Sequence, residues 1–380
     1  MKKTIALLSV ALAMTACVND DKYDWESDFA DKTDSDTIRI AINYDGTCAT
    51  VNGDDNQFVN INGSDVIVKS DTKKFLELTL SGSSEDGSLL IYSWKKLGIV
   101  LNGLRLKNVD GPAINNQCSK SFYVTTVAGT TNSLSDDASY ATAPTNDAGE
   151  IIDQKGTLFS EGQIYLRGTG ILEIMANAKN GIASDDYIVL ESGTVKITVS
   201  ETGSNGIKAN DGFTILDGTL NIDVKADGAR GIRSESFTNI FGGVTSIETS
   251  GDCVIETLED VADTTSCAGI KCDSLFTMTA GTLTITSSGD GGKGINCSDS
   301  ILVKGGELKA TTTGENEVGK PKAIKSDKAI VISGGSFYAS CIKSWACDNG
   351  SDSEVPKERV TVVGTPKSET YNKRLVEIIF

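Results

Sequence analysis

The stretch NGIASDDYIVLESGTVKITV fills residues 180–199, and residues 205–224 read NGIKANDGFTILDGTLNIDV. The same phrase marks out much of the chain. Gly181-Ile182, Gly206-Ile207 and Gly231-Ile232 are spaced by 25 residues; Gly269-Ile270 follows after 38, Gly294-Ile295 after 25 and Ala323-Ile324 after 29. The long interval carries an insertion near residues 251–263. A stride of this length means stacked structural repeats. Aligned on the Gly or Ala, the next position holds Ile182, Ile207, Ile232, Ile270, Ile295 and Ile324. Two further on, all residues are small: Ser184, Ala209, Ser234, Cys272, Cys297 and Ser326. The twelfth position is always glycine: Gly193, Gly218, Gly243, Gly281, Gly306 and Gly335.

Within each repeat, apolar and polar residues alternate, the period of a strand. Each repeat holds about three short strands, with the invariant glycine at a sharp bend between two of them. One repeat alone leaves its apolar side exposed. Stacked in register at about 4.8 Å, each Ile covers the next, and each burial contributes roughly 1.5–3 kcal/mol. The expected fold is all-β: a right-handed parallel β-helix of about 25-residue coils, the hand following the usual chirality of parallel connections. An antiparallel sandwich needs hairpin turns every 8–12 residues and does not need whole-unit self-similarity. Cys272 and Cys297 then fall in an inward column as packed thiols.

The 380 residues carry 35 Lys and Arg against 52 Asp and Glu, a net charge of −17, and no histidine. The acidity argues against DNA or RNA as a partner. The missing histidine excludes every Ser-His, Cys-His and His-metal mechanism. Lys2 and Lys3 precede a short apolar run, Ile5 to Ala13, too short to span a bilayer, and no later segment reads as transmembrane. Met14-Thr15-Ala16-Cys17 resembles a lipobox, so residues 1–17 read as a lipoprotein signal ending at a lipidated Cys17; an ordinary signal peptide cut near Ala16 is the alternative. Residues 18–37 are acidic and without apolar period, a disordered linker. That acidic run resembles the surface-export signal of Bacteroidetes-type lipoproteins, which implies the outer face of the outer membrane. The solenoid domain is expected over residues 38–350, with terminal strands or a cap over 351–380. The eight other cysteines show no CxxC pair, against a zinc site. Cys253 and Cys267 bracket the insertion and form the candidate disulfide, with Cys341 and Cys347 as a weaker pair.

Five segments extend the reading from repeat to family: IRIAINYDGTCATVNGDD (38–55), LNGLRLKNVDGPAI (101–114), GTTNSLSD (129–136), KGTLFSEGQIYLRGTGILEI (155–174) and NGIASDDYIVLESGTVKI (180–197). In this order they resemble the bacterial polysaccharide-binding β-helix family labelled "carbohydrate-binding domain-containing protein". The resemblance implies a pectate-lyase-like fold that binds acidic polysaccharide such as polygalacturonate, and also cellulose, with calcium and without established catalysis. The chain departs from the family where coils open Asn-, Arg- or Lys-Gly-Ile instead of Asp-Gly-Ile, which bears on any inherited calcium ligands. It departs again at its ending, ERVTVVGTPKSETYNKRLVEIIF (358–380).

Two outward ladders follow from the alignment. The second position after the Gly or Ala reads Ala183, Lys208, Arg233, Lys271, Asn296 and Lys325, with Lys343 next if Cys341-Ile342-Lys343-Ser344 opens another coil. This basic column is suited to successive carboxylates of a uronic-acid chain, or else is a solvated face balancing nearby acids. The turn beyond offers Asp185, Asp186, Asn210, Asp211, Glu235, Asp273, Asp299 and Asp327. Stacked oxygens there are candidate Ca²⁺ ligands, although turns favour Asp and Asn in any case. Tyr187, Tyr92, Trp94 and Trp345 are the aromatic residues to inspect for sugar stacking. The reading placed first is a lipid-anchored cell-surface protein that binds polysaccharide, an acidic glycan by preference, without catalysis. A surface adhesin or scaffold is the second, and a calcium-dependent polysaccharide lyase with Arg233 as base is the third.

Overall fold

In the computed structural model, each Gly-Ile phrase opens one coil of a parallel β-helix. The structure describes residues 36–258 and 261–380, so the signal segment, Cys17 and the linker up to residue 35 lie outside the described residues. Arg39–Phe380 form one compact unit. A representative coil runs through the strands Asn180–Ser184, Tyr187–Leu190 and Thr194–Val199. The first strands of successive coils build a 12-stranded sheet, and the second and third strands build two flanks of a 24-stranded one.

The register is the one the repeat dictates. Ile182 pairs with Ile207, Ile207 with Ile232, Ile232 with Ile270, Ile270 with Ile295 and Ile295 with Ile324. All six are fully buried, as is the column Leu190, Ile215, Ile240, Met278, Val303 and Ile332 on the second face. Arg233 and Lys271 are direct neighbours although 38 residues separate them. The insertion leaves the stack as an antiparallel hairpin, Val254–Leu258 with Val261–Thr265, and returns in register.

The invariant glycine does what its position requires. Its φ lies between +69° and +95° in all six coils. A side chain would also strike the coil beneath: a Cβ on Gly218 would stand 2.6 Å from the Gly193 carbonyl oxygen. Gly218→Ala is therefore expected to lose roughly 1–3 kcal/mol, read as a lower urea midpoint at unchanged m-value.

Antiparallel strands are added at both ends of the stack. At the start, Thr37–Gly46 pairs with Ala49–Asn52. At the other end, the hairpin Ser368–Asn372 with Leu375–Ile379 lies antiparallel on Ser336–Cys341. The hairpin covers the last rung of that ladder, Ser336–Cys341, which would otherwise be open to a further strand.

The disulfide expectation is corrected. Cys253, Cys267, Cys341 and Cys347 are all free thiols. The inserted ladder begins at Val254 opposite Thr265, and both Cys253 and Cys267 lie outside it. The Cys267 thiol is buried and donates to the carbonyls of Ala226 and Asp252. Cys272 and Cys297 do face one another in the inward column, Sγ to Sγ at 3.3 Å.

Candidate functional site: two interlocked charge ladders on the first sheet

Strand alternation sends the residue after each inward Ile to the outer face of the 12-stranded sheet. There Ala183, Lys208, Arg233, Lys271, Asn296 and Lys325 pair successively in register. The column then ends on Asp348, because Ile324 pairs with Cys347 and Lys325 with Asp348. Lys343 is not its continuation. It lies between the strands Ser336–Cys341 and Cys347–Asp348, since the chain takes five residues to turn the corner and the Gly-Ile phrase does not recur.

The acidic turn ladder interlocks with this column. Lys208 pairs with Glu235 of the next coil and also donates to Asn210. Arg233 reaches Asp273 of the next coil at 2.5 Å and gives a second hydrogen bond to the Ser234 carbonyl. Lys271 shares Asp273 at 3.2 Å, and Lys325 pairs with Asp327. The two cations beside Asp273 hold its carboxyl below its ordinary range against the opposing effect of burial. Side chains of Lys208, Arg233 and Lys271 remain 22%, 19% and 20% exposed. The cations are thus aligned and held in place, yet open to solvent on one side.

This arrangement sorts the sequence-derived metal candidates. Glu235, Asp273 and Asp327 are committed to intramolecular cations, and Asp299 is held by Lys328 at 2.6 Å. Asp186 differs: burial and the neighbouring Asp211 carboxylate raise its carboxyl above the ordinary range. Asn210 donates to Asp185 at 3.2 Å. Asp185 also belongs to a group that the sequence reading missed. Carboxylate oxygens of Asp153, Glu161 and Asp185 all lie within 4.8 Å of one another. Lys155 bridges two of them, at 2.6 Å from Asp153 and 2.5 Å from Asp185. Glu161 is pushed up to about 7, by burial first and then by the repulsion of Asp185 and Asp153. An all-oxygen donor set crowded enough to raise one of its own carboxyls fits a hard cation in kind.

Glu161 is the same turn position one coil earlier. Its backbone N–H bonds to the Asn116 carbonyl as that of Asp185 bonds to Ser160. Its coil opens Thr157-Leu158 instead of Gly-Ile, so the phrase did not reveal it, although Leu158 pairs with Ile182.

A second basic row was also missed. Arg230, Ala268, Lys293 and Lys322 pair one position before the Gly. Arg230 Nε meets no acceptor among the described residues. Lys293, 7% exposed, donates to the Ser266 hydroxyl and, at 3.2 Å, to the Gly319 carbonyl. Burial first, then Lys325 and Lys322, push its ammonium down to about 8. Between pH 8 and the ordinary 10.5 the unfolded chain binds a proton that the folded chain does not. The contribution of this group to stability therefore rises with pH across that window. Lys293→Met is expected to abolish this rise and add roughly 1–3 kcal/mol at pH 7, measured by denaturation at pH 7 and pH 10.

The aromatic candidates are dispersed. Tyr187 packs edge-on against Tyr165, Tyr92 lies near Lys69, and Trp345 lies under Arg359 and Lys373. Trp94 is 80% exposed. They form no flat stacking surface.

Beside the basic column, between Ala183 and Lys208, is a cavity of about 380 Å³. Its floor is Ala183, the one small side chain in the column's first positions, and Lys155, Lys179 and Lys208 stand around it.

Comparison with known proteins agrees with the fold. A family model described as "Carbohydrate-binding domain-containing protein" matches residues 62–344, about three quarters of the chain. Among solved structures, a polysaccharide lyase-like protein from C. thermocellum, studied as a gadolinium derivative, superposes with a TM-score of 0.56 at 22% identity. The match covers 71% of this chain and 100% of that one. No curated protein matches.

Proposed function

Since the chain belongs to the carbohydrate-binding domain family and its broad role is to bind carbohydrate, we propose that its ligand is an acidic glycan of the uronic-acid class. The observation that carries this is the in-register column Lys208, Arg233 and Lys271 on a chain of net charge −17. Its step of about 4.8 Å per coil is close to the rise of one sugar in an extended polymer. Glycan carboxylates would share the cations with Glu235 and Asp273, exchanging one set of charge-assisted hydrogen bonds for another. The ligand thus lies along the stack, crossing one coil per sugar.

Calcium belongs to the same proposal. Asp153, Glu161 and Asp185 would hold it, with Asp186 and Asp211 as the second choice among the turn carboxylates. A hard cation supplies charge that neutralises both these carboxylates and those of an adjacent glycan. Lys155 yields its place when the cation binds. The protein holds the polymer without cleaving it, tethered to the outer membrane surface through lipid on Cys17.

A lyase is the second reading, and Lys293 favours it. Burial and the neighbouring Lys325 and Lys322 push its ammonium down to about 8, so it gives up its proton more readily than Arg233, which Asp273 keeps paired. Calorimetric titration with polygalacturonate, first with calcium and then with chelator, tests both readings if ultraviolet absorbance is followed. Calcium-dependent binding without unsaturated product supports the binder. Product supports the lyase. No binding to this or to other acidic and neutral glycans removes both and leaves a scaffold.

A further inference from the structure

The outer face of the first sheet is open from Lys208 onward, where the side chain is 22% exposed, and closed upstream; Ala183, at the border, is itself only 1% exposed. Upstream, the outward column continues as Phe159 and Asn115. Both point away from the core, yet Phe159 has no exposed surface and Asn115 only 5%. Residues 136–155 cover them. This segment is anchored at its start by Asp136, which is 1% exposed and accepts hydrogen bonds from Tyr140, Thr157 and the Asn177 backbone. It crosses the sheet towards the first coils, where Asp147 meets Lys69 at 2.7 Å. It returns with the Asp153 carbonyl accepting from Asn115 at 2.9 Å and with Lys155 near the Phe159 ring. Lys179 then ties the Gln154 carbonyl, at 2.6 Å, to the next coil.

The cavity over Ala183 lies directly against this segment. Lys155 belongs to the wall, Lys179 binds the wall, and Lys208 is the first cation of the column. A polymer that follows Lys325, Lys271, Arg233 and Lys208 along the stack reaches the cavity and then meets covered sheet. A cavity of about 380 Å³ falls at the small end of ligand pockets, and polar and cationic side chains ring a floor that lacks a long side chain.

We propose that the protein recognises a terminus of the acidic glycan: the end sugar sits over Ala183 among Lys155, Lys179 and Lys208, and the segment 136–155 blocks extension beyond it. This rests on the binding reading above and adds direction to it. The column makes the contacts that every internal sugar offers, and the walled cavity makes those that only an end offers.

The test is binding stoichiometry of the full chain with size-fractionated oligogalacturonates and with long polygalacturonate, by calorimetry in calcium. End recognition predicts that each glycan chain takes a fixed number of protein molecules, one per recognised end, however long the chain. It also predicts that Ala183→Lys, which puts the column's usual residue into the cavity, weakens binding of the shortest oligomers at least tenfold. Circular dichroism checks that this variant is folded. A stoichiometry that rises in proportion to glycan length overturns the terminus while keeping the glycan-binding role, and so does unchanged affinity in a folded Ala183→Lys protein. Absence of binding at every length removes both. The unmodified protein's stoichiometry decides the matter even if the variant fails to fold.

Discussion

Ile232→Ala should cost roughly 2–5 kcal/mol. The side chain is fully buried and lies between Ile207 and Ile270 in the central column. Removing it opens a void against both neighbouring coils, and a parallel stack has little freedom to close it because each strand is fixed by hydrogen bonds above and below. In a solenoid the damage is local before it is global. Hydrogen exchange should show the largest loss of protection in Arg230–Ser234 and its two neighbours, with the chain ends less affected. A midpoint shift equivalent to less than about 1 kcal/mol, or a uniform loss of protection, would contradict the stacked-column account.

Arg233→Ala is the second large effect, and it falls on binding. Affinity for an acidic glycan is expected to drop roughly 10- to 100-fold, about 1.4–2.8 kcal/mol. Folding stability should change by less than about 1 kcal/mol, because Asp273 keeps Lys271 at 3.2 Å. Arg233→Lys should restore only part of the affinity, since it returns the charge but not the two-pronged donor set. The comparison is made by calorimetry at low and high salt. Equal affinities for wild type and Arg233→Ala would remove the column from the binding reading.

The sequence made the inward architecture legible because burial leaves little choice. An inward Ile, a small residue two positions later and a glycine at a positive-φ bend recur since each must fit the copy below. The outward ladders were legible as positions, through the same strand period, but not as partners. Nothing in the alignment says that Lys208 reaches Glu235 of the following coil, or that Asp273 serves both Arg233 and Lys271. Those choices depend on side-chain length across a gap set by the fold. Glu161 was hidden because its coil opens with Thr157-Leu158. Lys343 was misplaced because a corner, unlike a face, has no fixed length. The closed cavity was illegible for the same reason: residues 136–155 have no repeat to be aligned with, and their place over Phe159 comes from tertiary contacts alone.

The antiparallel pair Val254–Leu258 and Val261–Thr265 shows how freely the corners can grow. Arg233 and Lys271 meet as though no extra chain lay between them. Lengthening a flexible loop costs only about 0.6 kcal/mol per doubling, so this corner is a splice point. A folded cargo joined there would ride on the rim while the charged face kept its spacing. The same operation within a face would shift every rung after it.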